Sequence, residues 1–337
     1  MGLIGQIFEL LLTPSFAAAV LRITTPILFA ALGGLMARRC GIMNLALEGS
    51  MLTASLFAVI ASAFAKKAVL GGVSAAQADP ALVSTATTVG IIAGFVVGTL
   101  AGVAICMFLA YMAVGLRADA YLAGLAINTM ATGGTVFILY MAAGEKGISS
   151  SLDSCSMPFI NIPIIKDIPI IGEIFSGQNI MTYFSWLCVA LVYFIIFKTA
   201  TGLRIRAVGE TPSAAESVGV NVKKVQYQAM ALSGLFCGFG GVSLSMSYVQ
   251  FFSRGMTAGK GFIGMSAMNL GNASPVGTAI AAFLFGFFDA MGNVMQSLAI
   301  PVQFVQAIPY VATLVGLVVF AIASDNKVKK LKAKQGK

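Results

Sequence analysis

Some amide and carboxylate side chains lie inside apolar runs, and these are the groups with which the chain could do chemistry. Asn44 and Glu48 stand four residues apart, Asn128 follows YLAGLAI, Asn269 and Asn272 share a glycine-broken stretch, and Asp289 is embedded in FLFGFFDAMG. At i, i+4 on one helix, Asn44 and Glu48 would share a face. Such groups can hydrogen-bond a polar cargo, bind an ion or tie helices together. An ionised carboxylate at mid-bilayer costs about 2.5–3.5 kcal/mol even on the lenient insertion scale, so Glu48 and Asp289 need a partner or a wet cavity. For Glu48 two readings stand together: a pathway group, or an interfacial residue satisfying backbone amides at a helix start. Asp289 reads better as a helix-packing group than as a cargo contact. The asparagines could equally be glue between helices.

Other chemistry is excluded by composition. There is no histidine, which removes His-based acid/base work, Ser-His-Asp triads and His-ligated metals. Gly255 to Lys260 is the nearest approach to a phosphate-binding loop, but its glycine spacing is wrong and Gly261 follows the lysine. The five cysteines, Cys40, Cys106, Cys155, Cys188 and Cys237, show no C-x-x-C spacing. Three of them, Cys106, Cys188 and Cys237, sit in apolar runs as small hydrophobes, and no disulfide framework is expected. The chain reads as no enzyme, with no cofactor and no metal.

The elements that must position these groups follow from the apolar content. Hydrophobic residues make up 58% of 337, charged residues only 10%, and the mean hydropathy is +0.92. An ordinary soluble domain carries roughly 25% charged residues. The expected fold class is therefore all-α, a polytopic membrane helical bundle with about nine crossings of roughly 20 residues each. Apolar windows place them at 16–37, 44–65, 89–114, 120–142, 181–198, 225–249, 276–298 and 304–323. The stretch 261–274 would be a short span or a re-entrant piece. Leu3–Leu12 is too short to cross and should lie at the interface. Residues 1–21 hold no Lys or Arg, so the charged start of a cleavable signal peptide is missing. Gly90, Gly94, Gly98 and Gly102 line one helix face and Gly234 and Gly238 repeat the spacing, a pattern that lets backbones approach closely. The 37 glycines also suit interrupted helices around a cavity.

Charge sets the orientation. Of the net +9, six lysines fall between Lys327 and Lys337, a basic tail that reads as a cytoplasmic anchor rather than a nucleic-acid patch. With that tail inside, Arg38, Arg39, Arg117, Lys198, Arg204, Arg206, Lys223 and Lys224 fall inside too. Lys66, Lys67, Lys146, Lys166, Arg254 and Lys260 fall outside, and Arg22 sits near the outer end of the first span. Counting 261–274 as a crossing puts the N-terminus outside. The outer connection, about 143–181, contains Pro158, Pro163 and Pro169, too many for a spanning helix. The inner loop 199–224 can form a short helix, with Thr211 as N-cap, Pro212 at the first position and Gly219 as the stop. So short a helix persists only when something packs on it.

The run TPILFAALGGLMARRCGIMNLALEGSML (25–52) resembles the opening of the permeases of bacterial ABC importers for nucleosides and simple sugars, relatives of the ribose and branched-chain amino acid permeases. The resemblance continues through AGLAINTMATG (123–133), KDIPIIG (166–172), TGLRIRAVGETPSAAESVGV (201–220) and residues 251–291. It implies a type II ABC importer-like bundle with broken or re-entrant helices. Residues 1–324 would form a single permease domain with a coupling loop at about 199–224, and 325–337 a basic cytoplasmic tail. The implied partners are a cytoplasmic ABC ATPase, a second homologous permease, an extracytoplasmic substrate-binding protein and the lipid bilayer, with no nucleic acid. Gly209, Glu210, Ala214, Ala215 and Gly219 match the ATPase-contacting segment. Asn44, Glu48, Asn128, Gly259 and Gly261 match motif positions near the expected pathway, to which Asn269 is added as a candidate. The run SAMNLGNASP and the tail depart from the family pattern, which leaves fine substrate choice open.

The implied function is uptake of nucleosides across the bacterial cytoplasmic membrane by a multi-pass subunit with its C-terminus inside; a simple sugar is the runner-up. An ion-coupled transporter using Glu48 or Asp289 belongs to a different class, which loss of the proton gradient would stop at once. An intramembrane enzyme lacks a catalytic cluster. Few charges lie at depth, which argues against phosphate, amino acids or metal ions as cargo.

Overall fold

The computed structural model describes residues 13–71, 79–163 and 171–297, with Leu11 and Val311 besides. The expected interfacial segment Leu3–Leu12 (Leu11 excepted), the span 304–323 (Val311 excepted) and the tail 325–337 lie outside the described residues.

Helix α1, Pro14–Arg39, begins on Thr13, whose hydroxyl accepts the Phe16 N–H, with Pro14 at the first helical position. Helix α2, Leu47–Leu70, stops on Gly71 at φ +60°. Helix α3, Pro80–Ala110, is prolonged by a π turn, Tyr111–Gly115. It starts well before position 89, where the apolar windows put it. Thr85, Thr87 and Thr88 cause the difference: their hydroxyls bond back to the carbonyls of Ala81, Val83 and Ser84, so polar residues continue the helix. Helix α4, Ala120–Ala143, is capped by Asp119, which accepts from the Tyr121 and Leu122 amides.

Among its described residues the proline-rich connection forms no spanning helix. It holds β1 (Phe159–Ile160), the short helix α5 (Ile171–Phe175) and β2 (Gln178–Asn179), with the two strands paired antiparallel. Next comes α6, Ile180–Lys198, then α7, Ala200–Glu210, and α8, Pro212–Ser217. Helix α9, Val222–Ser243, ends in a second π turn, Leu244–Tyr248. Helices α10, Lys260–Leu270, and α11, Pro275–Ser297, close the described chain. Seven helices among the described residues are long and apolar enough to cross a membrane: α1, α2, α3 with its π turn, α4, α6, α9 with its π turn, and α11.

The two glycine stripes meet. A Cβ on Gly98 would stand 2.7 Å from the Ala58 Cβ of α2 and 2.8 Å from Val242 Cγ2 of α9. One on Gly102 would stand 2.7 Å from the Gly238 Cα, and one on Gly234 2.6 Å from the Val103 Cα. The stripes therefore lock α3 against α2 and α9 within this one chain. Helices α1, α2 and α9 form the buried centre, whereas α3, α4 and α6 turn broad apolar faces outward, Leu100, Phe137 and Leu187 among them.

Helix directions sort the charges to two ends. Arg38, Arg39, Arg117, Lys198, Arg204, Arg206, Lys223 and Lys224 lie at one end and Lys66, Lys67 and Lys146 at the other. At that second end Lys66 pairs with Asp153 at 2.6 Å. The 249–274 region joins the two. Its Arg254 amide donates to the Gly147 carbonyl beyond α4, while the Ala273 carbonyl accepts from Arg39 Nε at the far end of α1. It is irregular in one half and helical (α10) in the other. The apolar pattern, which gives a short span or a re-entrant piece at 261–274, does not separate these halves.

Candidate functional site

The link between α1 and α2 climbs back from the end of the bundle, and Asn44 lies in it rather than on α2. The shared helix face expected for Asn44 and Glu48 therefore does not form, because the Asn44 Oδ1 accepts its own Ala46 amide at 2.9 Å and α2 starts only at Leu47. Its Nδ2 reaches Ser233 Oγ at 2.9 Å and Cys106 Sγ at 3.3 Å, tying the link to α9 and α3.

Glu48 turns the other way. Its Oε1 accepts the Gly259 N–H at 2.8 Å and its Oε2 the Gly261 N–H at 2.7 Å. Helix α10 starts inside the bundle on Gly259, at φ +80°, with no side-chain cap of its own. The carboxylate supplies that cap from α2 and lies at the positive ends of two helix dipoles. A Cβ on Gly261 would stand 2.6 Å from the Glu48 amide nitrogen, so the approach needs glycine. The reading of Glu48 as a satisfier of backbone amides describes this contact, though the helix start belongs to another element.

Asn128, on α4, holds the same junction: Oδ1 accepts the Gly49 amide and Nδ2 donates to the Leu45 carbonyl, both at 2.8 Å. The structure thus gathers Asn44, Glu48 and Asn128 around the start of α2, each engaged with backbone. Asn269 stands apart, exposed in the last turn of α10. Lys260, expected on the outer side, opens α10. It pairs there with Asp289 of α11 at 3.4 Å, each side chain under one-fifth exposed. This part-buried ion pair joins α10 to α11, which is a packing contact for Asp289.

A polar cavity of about 180 Å³ opens between α1, α6 and α9 on the β1–β2 side, lined by Arg22, Thr25, Asn179, Thr182, Ser247 and Tyr248 among others. Sequence reasoning missed it. Its residues come from four distant segments, and the one available signal was Arg22, a cation inside an otherwise apolar span. Among the described residues no group of three potential ligands could hold a metal ion.

At the opposite end, α6 turns sharply into α7 at Gly202, where any Cβ would collide with the Ile195 carbonyl. Gly209 packs as closely on the Arg39 carbonyl, and Ala215 is buried at 4% exposure. Glu210, Ala214, Val218 and Gly219 face outward. The expected short helix forms as α8, with Pro212 first and Gly219 in the left-handed region at φ +82°. Thr211 takes the N-cap position, but its side chain makes no capping bond. All five cysteines are free and buried. Burial pushes the Cys40 thiol, in the link after α1, up to about 12. Burial likewise raises Cys155, whose thiol fills the space facing Gly90.

A multi-pass helical bundle, with seven candidate spans among the described residues, is the class this architecture defines. Over residues 16–323 the chain matches, and belongs to, the family described as the branched-chain amino acid transport system permease component. It is 32% identical over 310 residues to the nucleoside ABC transporter permease protein NupC of Lactococcus lactis, covering 90% of this chain and 91% of that one. It is 33% identical to the guanosine ABC transporter permease protein NupQ of Bacillus subtilis, covering 91% and 92%. The putative glucose ABC transporter permease protein TsgC13 of Haloferax volcanii is 31% identical over 85% of this chain and 80% of its own. No solved structure matches the chain.

Proposed function

We propose that the chain is the permease subunit of an ATP-driven ABC importer that brings nucleosides across the bacterial cytoplasmic membrane. The observation that carries this reading is end-to-end similarity to two permeases named for nucleosides, each over nine-tenths of both chains. ATP hydrolysis falls to a separate cytoplasmic ATPase, since this chain has no phosphate-binding loop. A second, homologous permease completes the membrane unit; a further Lactococcus permease, NupB, is 32% identical over 40% of this chain. An extracytoplasmic binding protein delivers the cargo. The end bearing Arg38, Arg39, Lys223 and Lys224 faces the cytoplasm, as does the C-terminus.

In this reading the exposed side of the 209–219 segment, with Glu210, Ala214 and Gly219, docks on the ATPase, while Gly209 and Ala215 seat it on the bundle. Asn44, Glu48 and Asn128 frame the pathway by holding the start of α2, to which Glu48 ties the start of α10, and Asn269 meets cargo toward the cytoplasmic mouth. A simple sugar is the second reading, supported by the similarity to the glucose-named permease. Cells with and without the gene should differ in uptake of labelled guanosine, adenosine or uridine, and unlabelled nucleosides alone should compete. Uptake of free ribose or glucose with indifference to nucleosides would sink the nucleoside reading.

A further inference from the structure

A nucleoside is one flat base joined to one polyhydroxylated sugar, so a site for it needs a hydrogen-bonding half and an apolar half. Two cavities in the outer half of the bundle have these characters. The polar one is lined by Arg22 and Thr25 of α1, Asn179 of β2, Thr182 of α6, and Ser247, Tyr248 and Gln250 at the end of α9. The apolar one, about 500 Å³, is lined by Ile91, Ile92 and Phe95 of α3, by Met157 and Pro158, and by Phe184 of α6. Met181 lines both, and the consecutive residues Met157 to Phe159 run from one to the other.

The polar half is already ordered by the protein itself. Asn179 donates from Nδ2 to the Met157 carbonyl at 3.0 Å and accepts from Ser247 Oγ at 2.9 Å. Thr25 Oγ1 donates to the Leu21 carbonyl at 2.9 Å, leaving its lone pairs available as acceptors. Among the described residues the side chains of Arg22, Thr182, Tyr248 and Gln250 make no hydrogen bond, so donors and acceptors converge there uncommitted. In the apolar half Phe95 stacks on Phe239 at 5.4 Å between ring centroids, and Phe184 meets Phe239 edge-on at 5.1 Å. Their rings are thereby fixed, which limits the ordering entropy lost when a flat ligand binds. The polar cavity alone falls short of the roughly 300–1,000 Å³ of small-molecule sites, whereas the pair falls within it.

We propose that these adjacent cavities, which share Met181 as a wall, are a two-part nucleoside site within the single permease chain, with sugar hydroxyls held by Thr182, Tyr248 and Gln250 and the base against Phe95 and Phe184. This rests on the nucleoside reading above. The test is labelled-nucleoside uptake by cells carrying the whole transporter, with permease level and ATPase co-purification measured alongside. Met181→Trp fills the junction and should cut uptake at least about tenfold at an unchanged permease level. Because Met181 is buried, a second variant guards against misfolding. Tyr248→Phe with Gln250→Ala, both exposed, should raise KM about three- to tenfold, the size expected for one or two lost hydrogen bonds. Phe95→Leu should raise KM for nucleosides too. Nucleoside uptake with wild-type KM in the Tyr248/Gln250 variant, or in a normally assembled Met181→Trp variant, would overturn the site while leaving the transport reading intact. Wild-type uptake of ribose and no nucleoside would overturn the transport reading, and this site with it.

Discussion

Glu48 carries its charge into a half-buried position because a helix start inside the bundle leaves N–H groups with no other partner. Removing the carboxylate with Glu48→Ala strands the Gly259 and Gly261 amides, at about 1–3 kcal/mol for each buried donor left unsatisfied. Thermal unfolding of the purified transporter should therefore show a clear loss for Glu48→Ala and a smaller one for Glu48→Gln, which keeps one acceptor. An alanine variant that is as stable as wild type yet transports nothing would instead place Glu48 against cargo. Cys40 offers a pH signature. Its thiol rises from the ordinary 9.0 to about 12 on burial, so the native state holds the proton more tightly than the unfolded chain. The stability this contributes is full below about pH 9 and is lost as pH rises toward 12. Unfolding temperatures measured across that range should fall less steeply for Cys40→Ala than for wild type.

At the scale of the element, the glycine stripe on α3 sets how closely three helices approach. Replacing Gly98 by Leu would push against Ala58, Val242 and the Ala54 carbonyl at once. Overpacking a fitted core costs about 1–3 kcal/mol when side chains can give, and more where backbone is struck. We expect Gly98→Leu to abolish recovery of monodisperse protein in mild detergent. Gly134 of α4 is the control, since nothing lies within 4 Å of its added Cβ. Gly134→Ala should leave yield intact and raise thermal stability by up to about 1 kcal/mol through helix propensity. Equal behaviour of the two variants would mean that the stripe does not govern packing.

For the whole molecule, the proposed docking on an ATPase depends on which face of α8 is free. Ala215 is buried, so Ala215→Trp would disturb the seating of α8 and confuse folding with docking. Ala214 is exposed and separates the two. Ala214→Trp should insert normally, unfold at the wild-type temperature, and lose both uptake and cargo-stimulated ATP hydrolysis. Normal coupled transport in that variant would remove the 209–219 segment as the docking element.

Apolar runs, glycine spacing and charge placement were enough to define a helical membrane bundle, to locate α1 to α4, α6, α9 and α11, and to mark the α7–α8 loop. Those features are local, written in consecutive residues or in a helical repeat. The same period showed that Gly90 to Gly102 and Gly234 to Gly238 line faces, but not that these faces meet. Other decisions needed the tertiary structure. Spacing alone pairs Asn44 with Glu48, yet an Asx-type turn withholds Asn44 from the helix. Glu48 finds its partners more than two hundred residues away along the chain. Lys260 reads as an outer charge from the chain alone, and only the packed helices give it Asp289 as a partner. The polar cavity draws single residues from segments scattered between Arg22 and Gln250, each unremarked in its own stretch. Chain-local patterns determine which segments become helices, because helix hydrogen bonds and lipid burial act on consecutive residues. Which carboxylate caps which helix, and which hydroxyls share a cavity, depends on how separate helices pack, and only the tertiary structure decides it.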